Sequence, residues 1–404
     1  GCGFGGYSLL SRLSSRYWDL TLVSPRNYFL FTPLLPSAAV GTVEFRSILE
    51  PARRRLPNVR LLEADAEEVD WEGREVWCRS AVDPDARFPV PYDYLVVAVG
   101  ARVADFGVPG VHEHAVPLYT LDDARKIRRR ILEQFAKAEV PGLPEEELVR
   151  RLTFVVCGGG PTGVEAAAEI HDLIHEELRE TYPELARYAR IVVVEALEQI
   201  LSGFDEALGD YAREHFTREG IEVRTGAMVE AVEPGRVRLE GREEPLEAGL
   251  VVWAGGNAPV PFVESLDIAK TERGRLIVDE YLRLPEREGV YALGDCANVG
   301  TEPLPATAQV AQKQGKYLAQ AFERGRRGRE VREFDFRSSG MMTYVGSGQA
   351  LADLPQVKWT GRTAWFFWRS VYVTRLVSLA NKVKVLFDWV KTTAFGRDVS
   401  RFST

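Results

Sequence analysis

Three features of this 404-residue chain predict an α/β fold. A glycine-rich loop, a helix and a strand occur in that order twice, with the loops about 157 residues apart, and a strand leads into the second copy. Short apolar strands such as residues 94–100 (YLVVAVG) and 191–195 (IVVVE) end on glycine or an acid, as they do in parallel sheets that bind nucleotides. The last fifty or so residues are basic and aromatic, although the chain as a whole is acidic. Together these describe two Rossmann-like dinucleotide-binding domains followed by a C-terminal amphipathic helical region that anchors to a membrane surface. The expected segments are 1–116 with 264–338, then 117–263, then 339–404.

Composition narrows the function classes. Hydrophobic residues make up 45% of the chain and charged residues 27%, which is ample for buried cores. A net charge of −8 argues against a nucleic-acid binder. Cys2, Cys78, Cys157 and Cys296 lie far apart, with no CxxC, no zinc spacing and no disulfide framework. Five histidines leave little material for a metal site, and none is expected. No apolar run approaches the ~18 residues of a spanning helix, which excludes a pump built on membrane helices. Residue 1 is already the first glycine of a loop, so the chain is expected to be part of a longer protein. Its missing strand and targeting segment say nothing of a cytosolic home.

The elements follow in order. Gly1-Cys2-Gly3-Phe4-Gly5-Gly6 opens a helix running through Leu13, and Leu20–Ser24 reads as a buried strand. A loop rich in proline and aromatics is expected over Pro25–Pro36, and a buried strand over Tyr94–Gly100. Leu121–Ala138 is helical, with basic residues on one side. Leu152–Cys157 is a strand, residues 158–163 the second glycine loop, and Val164–Leu178 its helix. Ile191–Val194 is the next strand and ends at Glu195. Short strands fill Ile221–Leu246, Leu250–Ala254 runs into Gly255-Gly256, and Gly289–Gly294 precedes Asp295. Ala308–Arg324 is a helix.

The chemistry lies in the loops. In Gly158-x-Gly160-x-x-Gly163 the first glycine allows a tight turn, the second lets backbone approach a pyrophosphate, and the third lets helix pack on strand. The helix N-terminus then offers N–H donors to phosphate. Glu195 can accept both hydroxyls of an adenosine ribose and repels a 2′-phosphate, which favours NADH over NADPH. The alternative is a plain glycine turn. Gly1-x-Gly3-x-x-Gly6 is the same device, although its second strand ends in Ser24 rather than an acid. Asp295 is either a ligand for a flavin ribityl chain or a turn aspartate.

Two dinucleotide sites imply hydride transfer between a nicotinamide and a flavin. Disulfide reduction needs a close cysteine pair, and sulfide oxidation needs cysteines at the flavin. Cys157 and Cys296 read instead as small buried residues. The electrons must then leave to a diffusible acceptor. Residues 356–404 carry nine Lys/Arg against two acids, and four of the eight tryptophans. Ala364–Ala380 and Val383–Val390 read as amphipathic helices, apolar and Trp-rich on one side, with Arg369 and Arg375 off it. Such a tail either docks on a membrane or packs on the body as a helical pair or dimer contact. Docking makes a lipid-soluble quinone the natural acceptor.

The run Ser24–Ser37 (SPRNYFLFTPLLPS), continuing through Gly41-Thr42-Val43 to Leu49-Glu50-Pro51, resembles the type II NADH:quinone oxidoreductases, the alternative NADH dehydrogenases, and most closely their mitochondrial branch. Residues 158–169 (GGGPTGVEAAAE), 294–297 (GDCA), 306–315 (ATAQVAQKQG), 344–355 (YVGSGQALADLP) and 388–402 (DWVKTTAFGRDVSRF) match that family in order. The resemblance covers essentially the whole chain. It implies a non-proton-pumping enzyme in which NADH reduces non-covalently bound FAD and FAD reduces ubiquinone. It also implies a homodimer lying peripherally on the mitochondrial inner membrane.

By motif position Gly1, Gly3, Phe4, Gly6, Ser24, Arg26, Gly100, Gly294, Asp295, Ala308 and Gln309 should serve FAD. Gly158, Gly160, Pro161, Thr162, Gly163, Glu195, Ala254 and Gly255 should serve NADH. Glu165 is either the family's acid beside nicotinamide and flavin or an acid favoured by the helix dipole. Gln309 matches the glutamine placed beside flavin and quinone, with a solvent-facing polar residue as the alternative. Lys313 stands where the family usually has a second glutamine, flanked by Gln312 and Gln314. Its charge is costly if desolvated, yet it could donate to quinone or stabilise a developing oxyanion. No calcium-binding loop interrupts Asn298–Thr307, so calcium regulation is not expected. Rival readings are a soluble NADH-flavin oxidoreductase serving ferredoxin or oxygen, and a membrane-associated FAD/NADH-binding sensor of the apoptosis-factor kind with poor quinone turnover.

Overall fold

A computed structural model of the chain describes residues 1–300 and 303–401. The end of the basic tail (402–404) and two residues of the 298–307 loop (301–302) lie outside the described residues. Two units divide the chain. The first comprises Gly1–Leu30, Leu49–Arg102 and Asn257–Ser338, and the second Phe31–Ile48, Val103–Gly256 and Ser339–Thr404. Residues 31–48 and the C-terminal region thus both belong with the second glycine loop.

Helices α1 (Phe4–Leu10), α2 (Leu35–Val40), α3 (Leu121–Ala138), α4 (Pro161–Asp172), α5 (Ala308–Arg326), α6 (Gly361–Arg375) and α7 (Leu379–Phe395) frame the candidate sites. The strands that carry them are β1 (Thr21–Val23), β2 (Arg60–Leu62), β3 (Leu95–Val97), β4 (Ala115–Pro117), β5 (Thr153–Cys157), β6 (Arg190–Val194), β7 (Ile221–Arg224), β8 (Leu250–Trp253), β9 (Val290–Ala292), β10 (Met341–Gly346), β11 (Gln349–Leu354) and β12 (Val357–Thr360).

In the first unit β1 pairs in parallel with β2, and β9 with β3. Helix α1 ends at Leu10, three residues before the predicted end. It packs on α5 where Gly315 meets Gly5, and a methyl group on Gly315 would stand 2.3 Å from the Gly5 carbonyl oxygen. An antiparallel meander (64–70, 75–80, 87–91) and residues 262–297 complete a core that includes Val97, Leu276, Ala292 and Leu318.

In the second unit five parallel strands run in the order β4-β8-β5-β6-β7. All five residues of β5 are buried, as a strand covered on both faces requires. The chain passes from β5 to β6 and β7 on one side and returns to β8 on the other, so strand order reverses at β5. A ligand crevice forms at the carboxyl end of such a strand. Helix α3 has the predicted bounds. A capping box between Thr120 and Asp123 starts it, and Ala124, Ile127, Ile131, Phe135 and Ala138 make its buried stripe.

Two expectations change here. The Pro25–Pro36 stretch is not one loop: Tyr28–Leu30 is a strand and Leu35 begins helix α2, and the run Leu34–Val43 is wholly buried. Its leucines, alanines and valines have no polar face to give to water. The helix pair in the tail breaks at Leu376–Ser378 rather than after Ala380, because the Ser378 hydroxyl accepts the Asn381 N–H and caps α7. Trp368 and Trp389 are buried, and Arg369 lies over the rings of Trp365 and Trp389 at 3.9 and 4.7 Å instead of off the apolar side. The exposed large apolar side chains of α6 and α7 are Phe366, Leu379, Val383, Leu386, Phe387, Val390 and Phe395. Among the described residues no helix is long and apolar enough to cross a membrane.

Candidate functional site

The second glycine loop leaves β5 at Cys157. Gly158 has φ +112°, and a methyl group there would lie 2.5 Å from the Ala254 carbonyl oxygen. One on Gly163 would lie 1.9 Å from the Gly158 carbonyl oxygen, whereas one on Gly160 would meet nothing within 4 Å. The first and third glycines are therefore demanded by packing, and the second faces open space where a pyrophosphate fits. Gly160 is the N-cap of α4 and has no side chain to cap it, Pro161 takes the first helical turn, and Thr162 is exposed. The first N–H groups are thus left to a ligand. At the end of β6 the Glu195 carboxylate accepts the Gly159 N–H at 2.5 Å and the Leu197 N–H at 2.8 Å. The Ala254 N–H donates to the Cys157 carbonyl, which brings Ala254 and Gly255 to the same crevice. All eight residues predicted for NADH gather here, and they fit a dinucleotide.

The first loop repeats the pattern. A methyl group on Gly6 would stand 2.2 Å from the Gly1 carbonyl oxygen, one on Gly1 2.6 Å from the Ala98 carbonyl oxygen, and one on Gly3 would meet nothing within 4 Å. Phe4 packs edge-on against Phe29 at 4.9 Å. The Ser24 hydroxyl accepts the Cys2 N–H at 3.3 Å and donates to the Arg26 carbonyl at 2.9 Å. Gly100, at φ +73°, follows β3, and Gly294 and Asp295 follow the paired strand β9. The Asp295 carboxyl is raised above the usual carboxylate range by burial, with Arg275 working against the rise. This cradle, with its open second glycine and its half-buried aspartate, also fits a dinucleotide.

Ala308 and Gln309 open α5 behind the Thr307 cap, and Gln309 is half-buried. Lys313 donates to the Arg337 carbonyl and lies 5.1 Å from the Phe336 ring centre, so its ammonium is directed at residues 336–337. Gln314, read only as a flanking residue, is buried and accepts the Gly294 N–H at 2.7 Å, which ties α5 to the Gly-Asp turn. Glu165 belongs to the second unit, and Gln309 and Lys313 to the first.

Helix α4 places Glu165, Glu169 and Asp172 on one buried face. Glu165 accepts the Tyr344 N–H at 3.1 Å, and burial pushes its carboxyl up to about 8. Thr343 and Trp368 favour its charged form, yet neither the Thr343 hydroxyl nor the Trp368 indole N–H completes a well-aligned hydrogen bond. Glu169 accepts the hydroxyls of Ser37 and Thr42, both at 2.6 Å, and lies 3.9 Å from the buried Arg397 guanidinium. Arg397 also bonds Glu176 and Glu177 at 2.5 and 2.7 Å. Asp172 accepts the Tyr344 hydroxyl at 2.5 Å and the Ser347 N–H at 3.1 Å. Beside this face lies a cavity of about 980 Å³ lined in part by Tyr344, Trp365, Trp368 and Arg369. Sequence reasoning singled out Glu165 and not Glu169, Asp172, Tyr344 or Arg397, which lie beside it. The i, i+4, i+7 spacing of the three acids was the available signal.

All four cysteines are free and buried. Burial alone pushes the Cys157 thiol up to about 12, and burial is the largest cause raising that of Cys296, so neither offers a thiolate. Among the described residues no group of three or more His, Cys, Asp or Glu is placed to hold a metal ion.

Residues 1–315 match the family model of the pyridine nucleotide-disulphide oxidoreductases, and residues 339–398 that of the NDH2 C-terminal domain. The chain is 39% identical over 407 residues to the probable NADH dehydrogenase of Dictyostelium discoideum, a match covering 100% of this chain and 90% of that one. It is 39% identical over 434 residues to the mitochondrial internal alternative NAD(P)H-ubiquinone oxidoreductase A1 of Solanum tuberosum, covering 99% and 87%. The solved structure of NDH2 from Plasmodium falciparum in complex with NADH is similar with a TM-score of 0.93 at 26% identity, covering 99% and 98% of the two chains.

Proposed function

The chain belongs to the type II NADH:quinone oxidoreductases, the alternative NADH dehydrogenases, and from this we propose that it is an enzyme that oxidises NADH and reduces ubiquinone without pumping protons. One observation carries the reading. Both glycine loops show the same packing, with a jammed third glycine and an open second one, so the chain has two dinucleotide cradles. FAD, held non-covalently, supplies acceptance of a hydride and release of two electrons.

The protein's own residues bind, orient and protonate. The loop from Gly158 to Gly163 and the N-terminus of α4 hold the NADH pyrophosphate, and Glu195 holds the adenosine ribose. The loop from Gly1 to Gly6, with Ser24, Arg26, Gly100, Gly294 and Asp295, holds FAD. Glu165, mostly protonated at neutral pH, keeps a proton on a carboxyl buried next to Tyr344. Gln309 offers an amide donor at the reacting end. The Lys313 ammonium gives one of its three N–H donors to the Arg337 carbonyl. Because the four thiols are buried and protonated, disulfide chemistry has no nucleophile here, and the electrons go to a diffusible acceptor.

The residue segments 1–116 with 264–338 carry the residues that hold FAD, and 117–263 those that hold NADH, although residues 31–48 and 103–116 pack with the second unit. Residues 356–404 dock on a membrane surface through the exposed apolar side chains of α6 and α7. The enzyme is a homodimer and works in the mitochondrion, peripherally on the inner membrane. The basic tail and the exposed apolar residues support docking.

The test is steady-state NADH oxidation by the purified FAD-loaded protein with a short-chain ubiquinone analogue. The expected result is a rate far above that with oxygen alone. Equal rates with and without quinone would overturn the assignment in favour of an oxidase or a sensor.

A further inference from the structure

We propose that Asp172 is a positioning residue for Glu165: by accepting the Tyr344 hydroxyl it holds the Tyr344 backbone N–H on the Glu165 carboxyl group. The inference rests on the reading of Glu165 as the residue that keeps a proton for the proposed reaction, and it names what governs the hold on that proton.

Glu165 and Asp172 stand on one face of α4, about two turns apart. A single residue of β10 meets both. The Tyr344 N–H donates to Glu165 at 3.1 Å, and the Tyr344 hydroxyl donates to Asp172 at 2.5 Å. All three residues are buried. Asp172 also accepts the Ser347 N–H at 3.1 Å, with His171 3.4 Å away, and the Tyr344 hydroxyl accepts the Gly348 N–H at 3.2 Å. The turn between β10 and β11 is thus tied to this carboxylate and to the phenol it receives. The ladder of the two strands shifts register between Tyr344 and Gly346, so strand pairing alone holds this end of β10 loosely. Burial, and then the Asp172 charge, raise the phenol well above its ordinary value, which keeps it a donor. The Tyr344 ring stacks on Trp368 at 5.6 Å, and Trp368 also favours the charged form of Glu165.

Few groups face Glu165 directly. Burial raises its carboxyl most, the Glu169 charge adds to the rise, and the Tyr344 N–H does most to oppose it. Tyr372 on α6 also faces it and stays neutral, since burial raises that phenol well above its ordinary value. Arg369 on α6 is coupled to Glu169. Helix α2, packed on α4, has no charged residue, and among the buried side chains of β5 and β6 only the Cys157 thiol can ionise. Two routes from Asp172 to Glu165 then have opposite signs. If Asp172 acted by its own charge, neutralising it would make Glu165 easier to ionise. Acting through Tyr344, its loss loosens the N–H and makes Glu165 harder to ionise.

The experiment is an infrared titration of the FAD-loaded full chain from about pH 6 to about pH 10. The carboxylic C=O band that Glu165→Gln lacks reports Glu165. The variants are Asp172→Asn, Tyr344→Phe, which keeps the ring and the backbone N–H, and the two combined. Flavin absorbance and far-ultraviolet circular dichroism equal to the parent's establish folding, and Tyr344→Phe carries the test if Asp172→Asn does not fold. In the parent the band should fade near pH 8. Each single variant should move the midpoint up by about one unit, because the charged form loses a donor, and the double variant should move it no further. The alkaline limb of kcat for quinone reduction should move with the band. A downward shift in Asp172→Asn, or shifts that add in the double variant, would make Asp172 a direct charge effect and overturn the proposal. So would an unmoved midpoint in Tyr344→Phe. A band that moves while the kinetic limb stays would instead overturn the reading of Glu165 on which the proposal rests. The band needs no turnover, so the two failures are told apart.

Discussion

Glu165→Gln should stabilise the protein, and the gain should grow with pH. In the folded chain the Glu165 carboxyl is raised to about 8 from an ordinary value of 4.5, with burial as the largest cause. An acid with a raised folded-state pKa costs nothing below its unfolded pKa, costs progressively more as pH rises between the two values, and costs its full amount above the folded one. Three to four units at ~1.36 kcal/mol each put that full cost at roughly 4–5 kcal/mol. Glutamine keeps an acceptor for the Tyr344 N–H and removes the charge. Urea unfolding of the FAD-loaded protein, followed by tryptophan fluorescence, measures the gain. It should be about 1.5 kcal/mol at pH 5.5 and about 4.5 kcal/mol at pH 8.5. A gain independent of pH, or a loss that deepens toward pH 8.5, would refute the argument that this carboxyl is neutral because it is buried.

Further outcomes follow from the same geometry. Gly163→Ala forces a methyl to 1.9 Å from the Gly158 carbonyl oxygen, so the NADH loop must shift; KM for NADH should rise about tenfold or more, with flavin retained. Gly6→Ala makes the matching clash with Gly1 and should instead release flavin, read as loss of the visible band from the purified protein. Glu195→Gln removes the charge facing a 2′-phosphate, so the ratio of kcat/KM for NADPH to that for NADH should rise roughly tenfold. Arg397→Ala leaves Glu169 buried without its cation and should cost roughly 3 kcal/mol or more in urea unfolding. That cost should be larger at pH 8 than at pH 5, because protonation relieves the stranded carboxylates.

What was legible in the sequence was local. The glycine loops, the bounds of α3, and the strands β5, β6 and β8 are set by turn chemistry, capping and short apolar runs, all contained in a few neighbouring residues. The predicted NADH residues gather for the same reason, since they sit at the ends of adjacent parallel strands. What was not legible depends on distant partners. Nothing local shows that Thr42 and Arg397, 355 positions apart, share a hydrogen bond, or that Glu169 is buried between them. The burial of Trp368 and Trp389 needed the positions of α4 and β10, and without those the tail's apolar side was drawn through the wrong residues. The buried run Leu34–Val43 was readable in principle, because ten residues almost without charge or amide side chains do not make a surface loop. The two-residue turn Ser347-Gly348 between β10 and β11 offered a comparable hairpin signal.

The most direct test of the account is anaerobic rapid-mixing absorbance at the flavin band. NADH is added to the purified protein first and a ubiquinone analogue second. Bleaching by NADH followed by full recovery on quinone is the predicted result, since NADH in the second cradle reduces flavin in the first, and the same flavin then gives its electrons to quinone. A flavin band that NADH bleaches and quinone does not restore would contradict the assignment of quinone as the electron acceptor.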